Sequence, residues 1–284
     1  MRNAKFDQYA GTPRPIVAIG NVFSLGHVIS PHRHDHCQLV YADRGVMMVG
    51  SEQGRWVVPP RRAVWIPGGV RHELRMMTSV DTITIWIEPY AASGLPTSCR
   101  VVEVPALVHN LLHEAIEIAP EYDQCGRDGL LMSLLLRELQ RLPELPLCLP
   151  FPKNVRLAER CKLFLQEPKS CETIDHWSAD LAMSRRAFTR LFRIETGMSF
   201  SVWRQQACLF AALPRLAAGE AITTIALDLG YESPAAFTTM FKRLQGVPPR
   251  RYLANGGESR YLANGGEKSE PRMSLDLDRV LAEV

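Results

Sequence analysis

Two stretches of the sequence, SRRAFTRLFRIETG at residues 184–197 and SPAAFTTMFKRLQG at residues 233–246, share one pattern. Each begins with serine, has phenylalanine at its fifth and ninth positions, and ends with glycine; the second copy is displaced by 49 residues. Serine favours the N-cap of a helix, and glycine accepts the left-handed conformation that ends one. Pro234 follows its serine at the first helical position, where proline is tolerated. Each stretch is therefore predicted to be a capped helix of about three turns.

A shorter helix is predicted upstream of each copy, over residues 174–181 and 222–229, with Ala179 and Ala226 small enough for a close crossing. A helix, a tight turn and a capped helix form a helix-turn-helix unit, so the sequence predicts two such units. In the first capped helix the phenylalanines face inward. The positions left for solvent or a DNA groove are Arg185, Arg186, Thr189, Arg190 and Arg193.

Arginine makes bidentate contacts to guanine edges and phosphates, so such a face suits a major groove. A solvated basic face is the alternative, and the tandem arrangement favours DNA. Residues 155–252 hold 14 Lys/Arg against 9 Asp/Glu, whereas the whole chain of 284 residues has a net charge of only +3. The basic surplus is therefore concentrated in the segment that carries the two units.

The strings SRRAFTRLFRIETGMSFSVWRQQA (residues 184–207) and IALDLGYESPAAFTTMFKRLQGVPPRRY (residues 225–252) resemble the DNA-binding domain of the AraC/XylS family. The resemblance implies that one long helix, residues 200–218, joins the units and that each unit places a helix in a major groove. It assigns base contacts to Arg186, Thr189 and Arg190 in the first unit. In the second unit it assigns them to Pro234, Ala235, Thr238 and Thr239, and we expect Lys242 and Arg243 to hold phosphates.

The second unit departs from the family at positions that matter for base reading. Thr239 stands where some relatives carry arginine, and Pro234 and Ala235 have no side-chain hydrogen-bond donor. We therefore expect the first unit to provide most of the sequence specificity. Between the units, Cys208 replaces the usual arginine, and Pro214 lies inside the joining helix, where it should kink the helix or cost about 3 kcal/mol.

The first ninety residues contain short β-branched and aromatic runs separated by Gly, Pro and Asp turns, which predict a small barrel or sandwich. Five such runs cover residues 38–42, 46–49, 56–58, 63–66 and 82–87. Here Gly26-x5-His32-x-His34-x3-Gln38-x6-Gly45 and Pro67-x-Gly69-x2-His72 resemble the two cupin motifs. The resemblance implies a β-barrel in which His32, His34, Gln38 and His72 meet at a site for a divalent metal.

Histidines at i and i+2 on a strand share one face, which would aim His32 and His34 inward, and three histidines suit Zn, Fe, Mn or Ni. Gln38 occupies the carboxylate position of the motif, Arg61 replaces its leading glycine and Met76 its trailing asparagine. A site without metal, in which these residues line an effector pocket, is the alternative. Tyr41, Trp56, Trp65 and Trp86 are expected to line that pocket or to form plain core.

The predicted order is a cupin-like sensor domain at 1–102, a helical and dimerising region at 103–142 and a proline-rich linker at 143–153. A double helix-turn-helix domain at 154–256 and a disordered tail at 257–284, which contains a second copy of RYLANGGE, complete it. The fold class is thus an all-β barrel with helices, followed by an all-α DNA-binding domain. The packed helical hairpin is the alternative to dimerisation at 103–142.

The predicted protein is a cytoplasmic, sequence-specific regulator of transcription without enzymatic activity. It binds double-stranded DNA and a small-molecule effector, forms a homodimer, contacts RNA polymerase and does not enter the membrane. No cofactor beyond the divalent metal is expected. Seven scattered cysteines without a CxxC motif indicate reduced thiols. The alternatives are a metal-dependent cupin enzyme fused to a DNA-binding domain, and a DNA-binding module with a purely structural dimerisation domain.

Overall fold

A computed structural model describes residues 12–52 and 54–254. The chain forms two compact units that divide between Cys148 and Leu149, apart from residues 54 and 55, which group with the second unit. The first unit contains most of the strands and two helices, and the second contains the helices from residue 155 onward. This is the predicted order of a β domain followed by a helical domain.

Most strands of the first unit form two antiparallel sheets. The strands are β1 (Ile16–Phe23), β2 (Val28–His32), β3 (Cys37–Arg44), β4 (Met47–Ser51), β5 (Gly54–Val58), β6 (Arg62–Ile66), β7 (His72–Met76), β8 (Val80–Ile87), β9 (Arg100–Glu103), β10 (Glu144–Leu145) and β11 (Cys148–Pro150). One sheet has the order β1-β8-β3-β6-β9-β10, and the other contains the neighbours β5-β4-β7-β2. The five runs predicted as strands are confirmed in β3, β4, β5, β6 and β8.

The first sheet has two different faces because side chains alternate along a strand. Leu39, Tyr41 and Trp65 lie on one face, in a core that also holds the buried residues of two helices. Gln38 and its cross-strand neighbour Trp86 lie on the opposite face. One face of this sheet therefore packs on helices, and the other carries the polar residues of the cupin-like motif.

The two helices are α1 (Ala106–Ala115) and α2 (Arg127–Leu139). Val108, Leu112 and Leu135 are fully or almost fully buried against the sheet, as the packed-hairpin alternative expected. Leu130 on the outer side of α2 is 69% exposed. The hairpin thus completes the core of the first unit while leaving other leucines on its surface.

The second unit consists of two helical modules joined by one long helix. Its helices are α3 (Val155–Gln166), α4 (Ile174–Asp180), α5 (Arg185–Thr196), α6 (Phe200–Ala217), α7 (Ile222–Asp228), α8 (Pro234–Gln245) and α9 (Pro249–Ala254). Trp177, Phe188, Phe192, Phe200 and Trp203 form a buried cluster of ring contacts in the first module. In the second, Phe237 and Phe241 occupy the equivalent buried positions.

The predicted caps of both modules are confirmed. Ser184 and Ser233 each accept a hydrogen bond from the backbone N–H three residues on, and Gly197 and Gly246 adopt φ of 71° and 74°. The joining helix α6 passes through Pro214 and ends three residues beyond it. The structure thus places this proline within a continuous helix.

The prediction that Ala179 and Ala226 both lie at a close helix crossing is wrong for Ala179. Ala226 is buried, but Ala179 is exposed, and the buried small residue of α4 is Ser178. The turn between α7 and α8 is one residue longer than that between α4 and α5, which shifts the short helices by 48 residues and the capped helices by 49. A single displacement therefore cannot align both helices of a unit.

The segment predicted as a linker, 143–153, contains the two short strands β10 and β11, and β10 pairs with β9 in the first sheet. The tail and the second RYLANGGE copy lie outside the described residues, as do residues 1–11. Across residues 12–52 and 54–254, no helix combines the length and apolar character that crossing a membrane requires.

Candidate DNA interface and sensor site

Helix α5 carries a stripe of arginines on its exposed side. Arg186, Arg190 and Arg193 are exposed and follow the i, i+4, i+7 spacing that aligns side chains on one helix face. In the part of the chain that the structure describes, none of them lies within 4 Å of an acidic side chain, whereas Arg185 pairs with Asp175 at 3.2 Å. Three unpaired guanidinium groups on one capped helix can form bidentate contacts with phosphates and guanines.

One exposed threonine in each capped helix has its hydroxyl proton engaged within that helix. The Thr189 hydroxyl donates to the Arg185 carbonyl oxygen at 2.8 Å, and the Thr239 hydroxyl donates to the Ala235 carbonyl oxygen at 2.9 Å. Because each hydroxyl proton is used within the helix, the methyl group and the oxygen lone pair remain for an outside partner.

The exposed surface of α8 is poorer in charge than that of α5. Ala235 and Thr239 are exposed, Pro234 and Thr238 are partly exposed, and the basic residues come at the end of the helix. Lys242 is exposed, and the Arg243 guanidinium donates to the Gln205 side-chain oxygen on α6. The structure thus brings the predicted residues of α8 to one helix, with the cations beyond the small residues.

Glu172, just before α4, accepts several hydrogen bonds within the first helix-turn-helix unit. This residue was not singled out from the sequence. Its Oε2 accepts hydrogen bonds from Trp177 Nε1 at 2.9 Å, His176 Nδ1 at 3.0 Å and Arg160 Nη2 at 3.2 Å. Arg160 also lies 4.4 Å over the Trp177 ring. No local motif marks such a carboxylate, because its donors come from α3 and α4 and meet only in the folded unit.

The three histidines of the cupin-like motif meet at one point of the unit that contains the two sheets. His32 on β2 is the direct cross-strand neighbour of His72 on β7, with ring centroids 4.4 Å apart. The His34 ring lies 5.1 Å from that of His72 and 5.7 Å from that of His32. The expectation that His32 and His34 share a strand face is wrong, because β2 ends at His32 and His34 belongs to the following loop.

In each of the three rings, the Nδ1 atom faces a backbone carbonyl oxygen. The Nδ1 atoms of His32, His34 and His72 lie 2.9, 2.7 and 2.9 Å from the carbonyl oxygens of Ser30, His36 and Val70, respectively. Since a carbonyl oxygen only accepts, each Nδ1 carries a proton, which leaves Nε2 as the ring atom that can bind an ion. Burial lowers the pKa of His34, and it lowers the pKa of His72 to about 4, so both rings are neutral at pH 7.

The donor set fits a divalent transition metal. One ligand atom from each histidine lies within 4.8 Å of the other two, and His72 Nε2 is buried with no hydrogen-bond partner among residues 12–52 and 54–254. Gln38 Oε1 is 3.3 Å from His34 Nε2, so two acceptors face each other unless a cation lies between them or the amide is flipped. Three imidazoles fixed through Nδ1 would hold such an ion through Nε2.

The four aromatic residues predicted to line an effector pocket are not brought together. Tyr41 and Trp65 lie in the core beneath the helices, where Trp65 Nε1 donates to the Pro96 carbonyl oxygen at 2.6 Å. Trp86 lies on the opposite face of the sheet, with its ring 4.7 Å from that of His34. Trp56 is buried on β5 of the second sheet. Trp86 is thus the aromatic residue that the structure places beside the histidines.

Comparisons with known proteins identify both units. A family described as "Helix-turn-helix domain" matches residues 177–255, and one described as "AraC-like ligand binding domain" matches residues 24–139. The HTH-type transcriptional regulator NimR of Escherichia coli (strain K12) is 34% identical over 223 residues, covering 78% of this chain and 81% of that protein. The chain belongs to the AraC family of transcription regulators, with an effector-binding domain and a DNA-binding helix-turn-helix domain.

Solved structures resemble the chain more distantly. ToxT from Vibrio cholerae is 13% identical, with 85% of this chain and 98% of that chain covered and a TM-score of 0.36. The C-terminal domain of AraT, a response regulator from Geobacillus stearothermophilus, is 25% identical, with 38% and 91% covered and a TM-score of 0.33. Scores this low support no conclusion about this chain.

Proposed function

We propose that this transcription regulator recognises its DNA sequence mainly through α5, with Arg186, Thr189 and Arg190 at base edges in a major groove. The unpaired arginine stripe carries this proposal. A guanidinium that is paired within the protein would have to break that pair before it could bind DNA, and among the described residues Arg186, Arg190 and Arg193 have no such pair to break. Arg193, and Arg185 beside Asp175, lie at the margins and contact phosphates.

The second helix-turn-helix unit binds the next turn of the duplex and contributes affinity more than sequence preference. Pro234 and Ala235 offer no side-chain donor, so Thr238 and Thr239 are its remaining contacts to base edges, through van der Waals packing and oxygen acceptors. Lys242 and Arg243 bind the DNA backbone, which gives affinity without sequence information.

Binding to a selected operator and to a scrambled duplex tests this division of labour. Arg190→Ala should lower the preference for the operator, and Lys242→Ala should weaken both duplexes by the same factor. Equal losses on both duplexes for Arg190→Ala would overturn the assignment of base reading to α5.

The unit that contains the two sheets serves as the sensor, and its effector binds at the three histidines beside Trp86. His32, His34 and His72 would hold a divalent metal, with Gln38 as a further oxygen donor, and such an ion supplies a Lewis-acidic position for an oxygen or nitrogen atom of the effector. Metal analysis of tag-free protein tests the site: His72→Ala should remove one equivalent of metal. Unchanged metal content in that variant would contradict the assignment.

The chain acts as a homodimer in the cytoplasm, and the outer leucines of the helical hairpin form the contact. Leu107, Leu130 and Leu134 remain exposed although their neighbours complete the core. Exposed leucines on a helix pair are typical of a surface that a second copy covers. RNA polymerase is a further partner proposed for the regulator.

A metal-dependent enzyme attached to a DNA-binding domain is the second candidate, and the three-histidine geometry is the observation that favours it. The two candidates differ in what happens to the bound small molecule. A regulator, which we favour, releases it unchanged, whereas an enzyme converts it into a product. Conversion of a bound small molecule by metal-loaded protein, and its loss in His72→Ala, would replace the regulator by the enzyme.

A further inference from the structure

A second cluster of metal-binding groups lies on the other face of the first sheet. It consists of Asp43, near the end of β3, and His109 and His113 on α1. One ligand atom from each lies within 4.8 Å of the other two. The cluster is separate from the three histidines, because Asp43 contacts His113 on α1, which packs on the Tyr41 side of the sheet, whereas Gln38 lies on the opposite side.

The geometry within the cluster suits coordination of one ion. Asp43 Oδ1 lies 3.1 Å from His113 Nε2 and 3.9 Å from His109 Nδ1. Metal–ligand bonds of about 2.0–2.2 Å require ligand atoms roughly 3–3.5 Å apart, so small side-chain rotations complete the set. His109 and His113 are at i and i+4 on one helix face, where the backbone already positions both rings.

One ligand is neutral and another is accessible. Burial lowers the pKa of His109 to about 4, so its imidazole is neutral at pH 7. Because Arg61 only donates, its contact with His109 Nε2 places the ring proton on Nδ1, so an ion bound at Nδ1 shifts that proton to Nε2 and displaces Arg61. The side chain of His113 is 38% exposed, which leaves an entry path and room for water in the remaining positions. Two imidazoles and one carboxylate are a donor set that zinc and similar ions prefer.

Two neighbours shape the site. The Tyr41 hydroxyl lies 2.8 Å from His109 Nδ1 and would rotate toward Asp43 when that nitrogen binds an ion. Arg61 Nη1 lies 3.3 Å from His109 Nε2, and its positive charge opposes a cation at the site. Arg61 therefore lowers the affinity, and its removal should raise it.

We propose that Asp43, His109 and His113 form a second site for a divalent transition-metal ion, with Zn²⁺ as the representative, which joins strand β3 to helix α1. The ion ties the sheet to the helical hairpin whose outer leucines remain exposed. Occupancy of this site thereby stabilises the hairpin against the sheet without requiring an ion at the three histidines.

Zinc titration of the tag-free, full-length chain tests the proposal, with Zn²⁺ alone as the probe. The titration is carried out in a His72→Ala background, which disables the three-histidine site. There we expect one equivalent of bound zinc that is lost on adding His113→Ala and bound at least tenfold more weakly on adding Asp43→Asn. Arg61→Gln, which removes one unit charge beside a dication, should tighten binding by roughly tenfold.

His176→Ala is the matched control, because His176 also lies beside two carboxylates, those of Glu172 and Asp180, but outside the cluster. It should leave the zinc equivalent intact. Zinc binding that is unchanged by both His113→Ala and Asp43→Asn overturns the proposal, as does the absence of binding in the His72→Ala background. If wild-type protein binds one ion, and His113→Ala abolishes that binding while His72→Ala does not, the result supports the site at Asp43, His109 and His113. The same result contradicts the proposal that the three histidines bind a metal.

Discussion

Replacing Arg190 by alanine should remove one of the proposed base contacts, at the centre of the arginine stripe, with little effect on the fold. Arg190 is exposed, and no acidic side chain lies within 4 Å of it in the part of the chain that the structure describes. Truncation therefore breaks no internal ion pair, and its cost falls on the DNA complex. A bidentate base contact contributes about 1–3 kcal/mol of discrimination, so the preference for the selected site should fall by roughly 5- to 150-fold.

Fluorescence anisotropy on the selected duplex and on a scrambled duplex, at several salt concentrations, measures this preference. Lys242→Ala is the matched comparison: it should weaken both duplexes about equally and lower the salt slope by about 0.9, the value for one lost phosphate contact. If Arg190→Ala instead weakens both duplexes equally and changes the salt slope like Lys242→Ala, the reasoning about base reading is refuted.

Three further predictions concern a cap, a buried histidine and the surface of the hairpin. Ser184→Ala removes the side-chain acceptor at the start of α5 and should lower the free energy of unfolding by about 1 kcal/mol in urea titrations. Ser201→Ala, inside α6, is its control, and an equal loss there would contradict the role of the cap. Burial lowers the pKa of His72 from 6.5 to about 4. When a chelator keeps metal away from the site, His72 therefore takes up its proton at a higher pH in the unfolded chain than in the folded chain. Stability should therefore fall by up to about 3 kcal/mol between about pH 6.5 and 4, and the same pH dependence in His72→Gln would show that another group is responsible. Because we propose that the outer leucines of the hairpin hold a dimer together, Leu130→Glu should give a monomer in light scattering while the control Leu163→Glu does not, and a dimer that survives Leu130→Glu would exclude this surface.

The double helix-turn-helix domain could be predicted closely because its signals are local. Ser184 and Gly197 mark the two ends of α5 through the chemistry of single residues, and the structure has both caps where the sequence indicates them. The pairing of Ala179 with Ala226 failed for an equally local reason: one additional turn residue in the second unit shifts the alignment of the short helices.

The sensor could be predicted only in part, because its arrangement depends on which face each strand presents. The spacing of the cupin-like motif identified the three histidines, but the loop position of His34 shows that strand alternation was not the reason they meet. Tyr41 and Trp65 were grouped with Trp86 by residue type, whereas the register of β3 against β8 separates them onto opposite faces. Asp43 and His113 are 70 residues apart, and no motif connects them before α1 packs on the sheet.

In-vitro selection of bound DNA from a random pool tests the central claim most directly, the unequal contribution of the two helix-turn-helix units. The asymmetry between α5 and α8 predicts, for each chain, one strongly preferred block of bases and a second block about one helical turn away with little preference. In a parallel selection, Arg190→Ala should lose preference in the strong block alone. Two blocks of equal preference, or loss of preference in the weak block, would contradict the assignment of sequence recognition to α5.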